Sequence, residues 1–216
     1  MQLEKMDEFF NKRADTYDSH MIEDLKLDEF YEAITVLFNG AFSGMRLLDL
    51  GCGTGLELER LFKRYPDMKV TGIDISQGML DKMKNKFPGK QLNLICASYF
   101  DLQLPEEAFD FVLSTYSLHH FNEEQKLLIY RKAYNVLVLG GMFIEGDYTV
   151  NSLEKQEFHI AENERLRTEA GIMNGFFHYD TPLTTETQMS LVVSAGFSDV
   201  RVMRQWENTS IIKARK

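Results

Sequence analysis

The sequence predicts an α/β fold, in which helices cover both faces of a doubly wound, mostly parallel sheet. Short apolar runs alternate along the chain with segments of helical spacing, and several runs end in glycine or in an acidic residue. Residues 47–50 form the first run, and Leu58, Leu61 and Phe62 then recur at helical spacing. Apolar runs of this kind are typical of parallel strands buried on both sides, and their alternation with helices is typical of α/β sheets.

Two helical segments precede the first strand. Residues 2–20 are predicted to form a polar helix and its exit, and an amphipathic helix then extends from Leu27 to a stop at Asn39 and Gly40. Since these residues lie before the strand–helix alternation, we predict a helical cap over residues 1–40. A length of 216 residues fits a single domain, residues 1–216, that includes this cap.

A glycine turn follows the first strand, where Gly51, Gly53 and Gly55 come shortly after Asp49. Glycine is required where the backbone adopts a positive φ or approaches a ligand closely. The spacing is G-x-G-x-G, which differs from the dinucleotide fingerprint because position 56 is leucine, and the sequence has no phosphate-binding G-x-x-x-x-G-K-[ST] motif. The turn therefore predicts a nucleotide-like ligand at the carboxyl end of this strand.

The second strand, residues 70–75, ends around Asp74. A carboxylate at this position can accept hydrogen bonds from both hydroxyl groups of a ribose. Hydrogen bonds to a charged group contribute about 1.5–3 kcal/mol each, which is enough to determine ligand preference. Asp74 is therefore a candidate ribose-binding residue.

Five further strands complete a predicted sheet of seven, and the last two form an antiparallel hairpin. These strands are residues 92–96, 109–113, 142–148, 199–206 and 209–214. Helices are predicted after Ser76, after Asn122 and from Thr185, which opens a capping box with Gln188. Residues 151–183 contain a charged helix and are longer than a normal connection, so we predict a lid insertion there.

Residues 47–55 together with Asp74 resemble the cofactor site of class I S-adenosylmethionine (SAM) dependent methyltransferases. Residues 11–18 are similar to a motif of small-molecule methyltransferases related to the quinone C-methylating enzymes. The resemblance implies a seven-stranded Rossmann-like methyltransferase fold, SAM as the cofactor and S-adenosyl-L-homocysteine as its product. It also implies cofactor contacts by Arg13, Tyr17, Asp49, Gly51, Cys52, Gly53, Gly55, Asp74, Ile75, Met79, Ala97, Ser98 and Ser114.

Some of these implied contacts have a structural alternative. Arg13 is equally well explained as a surface residue, and methionine at helical spacing, as at Met79, more often belongs to the core. Family members often hold an acidic residue before the alanine that corresponds to Ala97, whereas this chain has Cys96. Backbone amides, the Ser98 hydroxyl or Asp101 must then bind the adenine.

The Leu-His-His stretch after the fourth strand also resembles the family and contains the candidate catalytic residues His119 and His120. A general base is needed only if the acceptor is protonated, and histidine titrates closest to neutral pH. We favour His120 because it lies nearer the next helix, while each histidine alone is as readily explained by packing. An aromatic pocket is predicted to bind the acceptor, formed by Tyr116, Tyr148, His178 and Tyr179.

Composition restricts the partners. The formal net charge is −9 and no basic run is present, which argues against duplex nucleic acid and against an anionic membrane surface. The two cysteines, Cys52 and Cys96, and the absence of a predicted signal peptide or membrane span indicate a cytoplasmic protein. We expect a monomer or a homodimer. No metal is expected, because the candidate ligands Glu145, Asp147, His159 and His178 lack a diagnostic spacing.

The predicted function is transfer of the SAM methyl group to a small-molecule acceptor by in-line displacement. Two alternatives keep an enzymatic role: another SAM-utilising transferase, including one that modifies a tRNA wobble nucleoside, and a nicotinamide-dependent oxidoreductase. A non-catalytic SAM-binding protein is the alternative from a different class. The histidine stretch and the lid argue against it.

Overall fold

A seven-stranded sheet forms the centre of the computed structural model, which describes residues 3–216. The strand order is β3-β2-β1-β4-β5-β7-β6, and β7 runs antiparallel to both of its neighbours. The strands are β1 (Arg46–Leu50), β2 (Lys69–Asp74), β3 (Gln91–Cys96), β4 (Phe109–Thr115), β5 (Leu137–Tyr148), β6 (Ser198–Gln205) and β7 (Thr209–Arg215). The doubly wound, mostly parallel sheet with a terminal antiparallel hairpin is confirmed.

Helices precede and connect these strands. They are α1 (Met6–Arg13), α2 (Tyr17–Ser19), α3 (Asp28–Val36), α4 (Leu56–Arg64), α5 (Gln77–Lys86), α6 (Glu123–Val136), α7 (Leu153–Glu169) and α8 (Thr185–Ser194). The cap of α8 is Thr184 rather than Thr185, because the Thr184 side chain accepts the backbone N–H of Thr187. Within residues 3–216, no helix combines the length and the apolar character that crossing a membrane requires.

Both faces of the sheet are buried. Leu47 packs into one apolar cluster and Leu48 into another, because successive side chains of a strand point to opposite faces. Helices α3, α4 and α5 contribute to the first cluster, and α6 and α8 contribute to the second. The interior is thus built in three layers, which fixes the carboxyl ends of β1, β2, β4 and β5 along one edge.

The N-terminal segment and the 151–183 segment meet above this edge. Lys5 and Phe177 form an isolated antiparallel bridge. The backbone N–H of Met6 donates to Phe176 O at 3.1 Å, and that of His178 donates to Glu4 O at 2.9 Å. Two segments that lie outside the strand–helix alternation are therefore joined to each other. Their action as a cap and a lid stays a prediction.

Candidate active site

Backbone hydrogen bonds join the glycine turn to the end of β2. The backbone N–H groups of Gly51 and Cys52 both donate to Ile73 O, at 2.8 and 3.1 Å. Gly51 has a φ of 72°, in the left-handed region, and a Cβ there would lie 1.9 Å from Ser117 Oγ. Gly53 also has a positive φ of 48°. Only glycine fits at position 51 without displacing the side chain of Ser117.

Asp74 lies at the end of β2, directly beside this turn. Its carboxylate accepts the backbone N–H of Gly53 at 2.9 Å and that of Ser76 at 2.8 Å. Burial raises the pKa of Asp74 to about 6, although these hydrogen bonds favour the charged form. The position is the one that the sequence predicts for a ribose-binding carboxylate.

Two further carboxylates, Asp49 and Glu57, are buried at the ends of β1 and α4. Neither oxygen of Asp49 has a hydrogen-bond partner, and burial together with Glu57 raises the pKa of Asp49 well above its usual value. A buried carboxylate without a partner is costly unless a cation or a proton balances it. A cofactor with a positively charged sulfonium and ammonium group would supply that balance, so these residues fit SAM.

A small cleft lies on the glycine turn, with a volume of about 30 Å³. Ligand pockets usually measure about 300–1,000 Å³, so the cleft is closed in this conformation. Tyr99 and Ser117, which are joined by a hydrogen bond of 2.6 Å, close part of the cleft. The cleft is lined by Met6, Phe10, Tyr17, Gly51, Gly53, Asp74, Ile75, Met79, Tyr99, Tyr116, Ser117 and His120.

Polar contacts hold the N-terminal segment over the cleft. Asn11 Oδ1 accepts the backbone N–H of Gly78 and the hydroxyl of Ser76, both at 2.8 Å. Asp18 accepts the hydroxyl of Thr54 and forms an ion pair of 2.5 Å with Lys86. Opening the cleft therefore requires these contacts to break.

A second, larger pocket of about 860 Å³ adjoins the cleft. Its lining combines residues of the N-terminal segment with aromatic and histidine side chains from later in the chain. Four residues line both the cleft and the large pocket: Phe10, Tyr17, Tyr116 and His120. A ligand in the cleft and a ligand in the large pocket would thus be neighbours across a shared wall.

His119 and His120 lie in a 3₁₀ turn after β4, and both line the large pocket. His119 Nδ1 is 2.6 Å from Asp147 Oδ1, at the end of β5. Asp180 Oδ1 lies 3.2 Å from His120 Nδ1 and 3.6 Å from His119 Nε2. The backbone N–H of Thr181 donates to His119 O at 2.7 Å, which fixes the 151–183 segment against the histidines.

The two histidines differ electrostatically. Burial opposes a charge on His119, but its pKa is raised because the Asp147 carboxylate stabilises the imidazolium. The pKa of His120 is lowered by burial and by the charge on His119. The pair therefore favours a proton on His119 and a neutral His120.

A buried polar network surrounds Asp147. Lys126 is fully buried, and its Nζ atom lies 3.7 Å from Glu145 Oε1 and 3.8 Å from Asp147 Oδ2. Tyr130 donates its hydroxyl to the Glu145 carboxylate, at 2.8 Å from Oε2. Burial raises the pKa of Glu145 to about 7. The network between α6 and β5 thus positions Asp147, and through it His119.

Apart from Arg13, the residues implied as cofactor contacts fall into two groups in the structure. One group lines the cleft: Tyr17, Gly51, Gly53, Asp74, Ile75 and Met79. Arg13 lines the large pocket instead, where its guanidinium lies 3.5 Å from the centroid of the Phe9 ring. The other group lines neither cavity: Asp49, Cys52, Gly55, Ala97, Ser98 and Ser114.

Several residues of the second group have a structural contact. Cys52 belongs to the apolar core, and Ser114 donates its hydroxyl to Leu50 O at 2.9 Å, which ties β4 to β1. Ala97 donates its backbone N–H to Asp74 O at 3.0 Å. Ser98 Oγ accepts the backbone N–H of Phe100 at 3.3 Å. These residues shape the site from outside the closed cleft.

Of the residues predicted to bind the acceptor, Tyr116, Tyr148 and His178 line the large pocket, and Tyr179 does not. Sequence reasoning missed Asp180, which does line it. The signal was available, because alternate side chains of an extended segment share a side, and His178 and Asp180 are two residues apart. Tyr99 and Ser117 were also missed, since only the packing of two loops brings them together.

Comparisons with known proteins agree with this architecture. A family described as a methyltransferase domain matches residues 47–141. A malonyl-[acyl-carrier protein] O-methyltransferase of Priestia megaterium is 29% identical over 172 residues, which are 78% of this chain and 61% of that protein. A carboxy-S-adenosyl-L-methionine synthase of Campylobacter concisus is 27% identical over 180 residues, 76% of this chain and 74% of that protein.

The fold has counterparts among solved structures. An S-adenosylmethionine-dependent methyltransferase from Mesorhizobium loti aligns with a TM-score of 0.60 and 18% identity, over 85% of this chain and 98% of that one. The chain spans less than two thirds of the length of the Priestia relative. Residues 47–141 thus match a methyltransferase domain. In sheet order, glycine turn and Asp74 at the end of β2, the chain is similar to the class I SAM-dependent methyltransferases, whose cofactor is SAM.

Proposed function

We propose that this protein transfers the methyl group of SAM to a small-molecule acceptor that binds in the 860 Å³ pocket. The observation that carries the proposal is the wall shared by the glycine-turn cleft and this pocket, formed by Phe10, Tyr17, Tyr116 and His120. When bound, SAM supplies an activated methyl group, which leaves a neutral thioether after in-line displacement. The protein's part is to bind, align and desolvate the two reactants.

The pocket favours a small acceptor over a macromolecule. Its volume falls in the usual range for small-molecule sites, about 300–1,000 Å³. The net charge of −9 disfavours a polyanion such as tRNA. The malonyl-[acyl-carrier protein] O-methyltransferase relatives make a carrier-bound carboxyl group a second candidate acceptor. The relationship to quinone C-methylating enzymes stays a prediction.

We assign roles to the residues of this pocket by position. His119 and His120 are the proposed catalytic pair, because their rings face the pocket beside the shared wall. Tyr116, Tyr148 and His178 are proposed to contact the acceptor. Aromatic faces of this kind also favour a cationic sulfonium nearby.

The direct test is to incubate the protein with SAM labelled in its methyl group and a panel of acceptors. The panel contains phenols, carboxylic acids, thiols, amines, a malonyl-loaded acyl carrier protein and a tRNA fraction. Label in a small-molecule product, with equal release of S-adenosyl-L-homocysteine, supports the proposal. Label only in carrier protein or in tRNA contradicts it, and SAM binding without any turnover across metabolite extracts supports a non-catalytic protein instead.

A further inference from the structure

Three side chains converge on one point in the wall of the large pocket. His119, His120 and Asp180 each present one ligating atom, and these atoms all lie within 4.8 Å of one another. A fourth group is close, since His178 Nε2 lies 3.9 Å from Asp180 Oδ1. Two of these histidines come from the turn after β4, and the other two groups come from the 151–183 segment. The tertiary structure thus assembles a set that no sequence motif contains.

The spacing of these atoms also fits the distances between the ligands of one metal ion. Asp180 Oδ1 is 3.2 Å from His120 Nδ1 and 3.6 Å from His119 Nε2. Ligands held about 2.0–2.1 Å from a tetrahedral or octahedral ion lie roughly 3.0–3.5 Å from one another. Small shifts of these side chains would therefore place all three around one ion.

The polar atoms at this point lack partners. His120 Nδ1 and Asp180 Oδ1 are buried, and neither makes a hydrogen bond of good geometry. When Asp147 accepts the proton of His119 Nδ1, the Nε2 atom of a neutral His119 turns a lone pair toward Asp180 Oδ1. Two acceptors that face each other repel, so either a proton on His119 or a metal ion must lie between them.

The surroundings have the features of an outer coordination shell. A metal-binding histidine usually donates its other ring N–H to a carboxylate, as His119 does to Asp147. Asp147 is in turn held by the backbone N–H of Tyr148 at 2.9 Å and lies 3.8 Å from Lys126 Nζ. The ring orientation of His119 is therefore fixed before any ion binds.

We propose that His119 Nε2, His120 Nδ1 and Asp180 Oδ1 bind a divalent first-row transition metal ion, with His178 within reach as a fourth ligand. Two imidazoles and one carboxylate are ligands typical of zinc, iron, cobalt and nickel ions, and a set of three leaves coordination positions open. All four residues line the large pocket, so the open positions face its interior.

The role of this ion rests on the proposed function. An acceptor oxygen at an open position loses its proton to solvent more easily, because the ion stabilises the oxyanion. The oxygen lone pair then forms the new bond to the methyl carbon as the carbon–sulfur bond breaks and its electron pair stays on sulfur. The acceptor class that gains most from this role is a hydroxyl compound, since it carries its proton at neutral pH.

The site is tested on the full chain without a polyhistidine tag, after chelator treatment, with Co²⁺ as the spectroscopic probe and Zn²⁺ in calorimetry. The expected result is one ion per chain, with a visible Co²⁺ spectrum of nitrogen and oxygen ligands. If the wild-type protein binds neither Co²⁺ nor Zn²⁺ at one ion per chain, the proposal is overturned. A proton on His119, and not a metal ion, would then balance the charge of Asp180.

Variants locate the site. The outer-shell change Asp147→Asn should weaken metal binding by about 10–100-fold. The ligand changes Asp180→Asn and His120→Gln should weaken it at least as much. The matched controls are His159→Gln and Asp81→Asn, which change residues outside the cluster and should bind like wild type. Circular dichroism verifies that each variant is folded. Folded cluster variants that keep wild-type affinity overturn the assignment of ligands.

Turnover separates this inference from the proposed function. If the ion binds and turnover with a hydroxyl acceptor rises on metal addition, the metal site and the proposed methyl transfer are both supported. Metal binding with turnover that is unchanged by chelation overturns the catalytic role of the ion. Metal binding without methyl transfer to any acceptor counts against the proposed function, while the site itself is upheld by the Co²⁺ spectrum.

Discussion

The Nδ1 atom of His119 lies 2.6 Å from the Oδ1 atom of Asp147, although the two residues are 28 positions apart in the chain. The contact joins the turn after β4 to the end of β5, two strands that are neighbours in the sheet. It determines which ring nitrogen of His119 faces the large pocket.

Removing the charge of Asp74 should weaken cofactor binding and abolish its pH dependence. We expect Asp74→Asn to lower SAM affinity about tenfold at neutral pH, or roughly 1.4 kcal/mol, because an amide is a weaker acceptor for the ribose hydroxyls. The pKa of Asp74 is raised by burial to about 6, so wild-type affinity should fall as the pH drops through about 6 and the carboxyl group gains a proton.

Calorimetry of SAM binding between pH 5 and 8 measures both effects, with Asp81→Asn as an exposed control. Equal, pH-independent affinity in wild type and Asp74→Asn would remove Asp74 from the cofactor site.

The raised pKa of Asp74 also affects the stability of the fold. The raised pKa means that the folded state binds this proton more tightly than the unfolded state does. Protonation of Asp74 therefore adds to the free energy of unfolding at low pH, and this addition is lost as the pH rises through about 6.

The closed cleft predicts movement on cofactor binding. A volume of about 30 Å³ excludes a ligand of the size of SAM, so the N-terminal segment must open and close again over the bound cofactor. Hydrogen exchange should show protection by SAM in residues 6–19 and in residues 176–181. Peptides of the β6–β7 hairpin serve as the internal control. If neither segment gains protection with SAM or its product, neither acts as a lid.

Loss of either histidine of the 3₁₀ turn should slow turnover more than it weakens SAM binding. Since both His119 and His120 line the large pocket, we expect the alanine variant of each to lower kcat by about 10²–10⁴-fold when the acceptor loses a proton. His159→Ala, on α7, is the control. The measurement is kcat and KM across pH, with SAM affinity from calorimetry.

Wild-type turnover in both histidine variants at every pH would mean that the site works by alignment alone. The methyltransferase assignment would survive that outcome, because alignment and desolvation by themselves accelerate methyl transfer.

The glycine turn offers a matched pair of stability variants. Gly51→Ala and Gly53→Ala both place a Cβ on left-handed backbone, which costs about 1–2 kcal/mol. Only the Cβ at position 51 meets close atoms, 1.9 Å from Ser117 Oγ and 2.6 Å from the Tyr99 hydroxyl, whereas the nearest atom at position 53 is 3.9 Å away. We expect urea denaturation to show an additional loss of about 1–3 kcal/mol for Gly51→Ala. Equal losses would mean that Ser117 moves aside freely.

Much of the fold could be predicted from local pattern. The apolar run of β1, the glycines after it and Asp74 at the end of β2 are features of single segments, and hydrophobic periodicity with turn chemistry determines them. The capping box of Asn122 and Gln125 begins α6 at the predicted place, because it satisfies backbone donors within one turn of helix. These local features sufficed for the fold class, and the resemblance of residues 47–55 with Asp74 to a known cofactor site indicated the family.

The sequence by itself thus determined the sheet, the cofactor class and the two histidines as candidates. Only the tertiary structure decided that Asp180 faces those histidines and that Asp147 holds one of them. It also decided that Tyr179 lies outside the pocket and that Tyr99 and Ser117 cover the glycine turn. The reason is physical: these contacts join residues from separate segments, and their distances depend on how strands and loops pack, which no local pattern encodes.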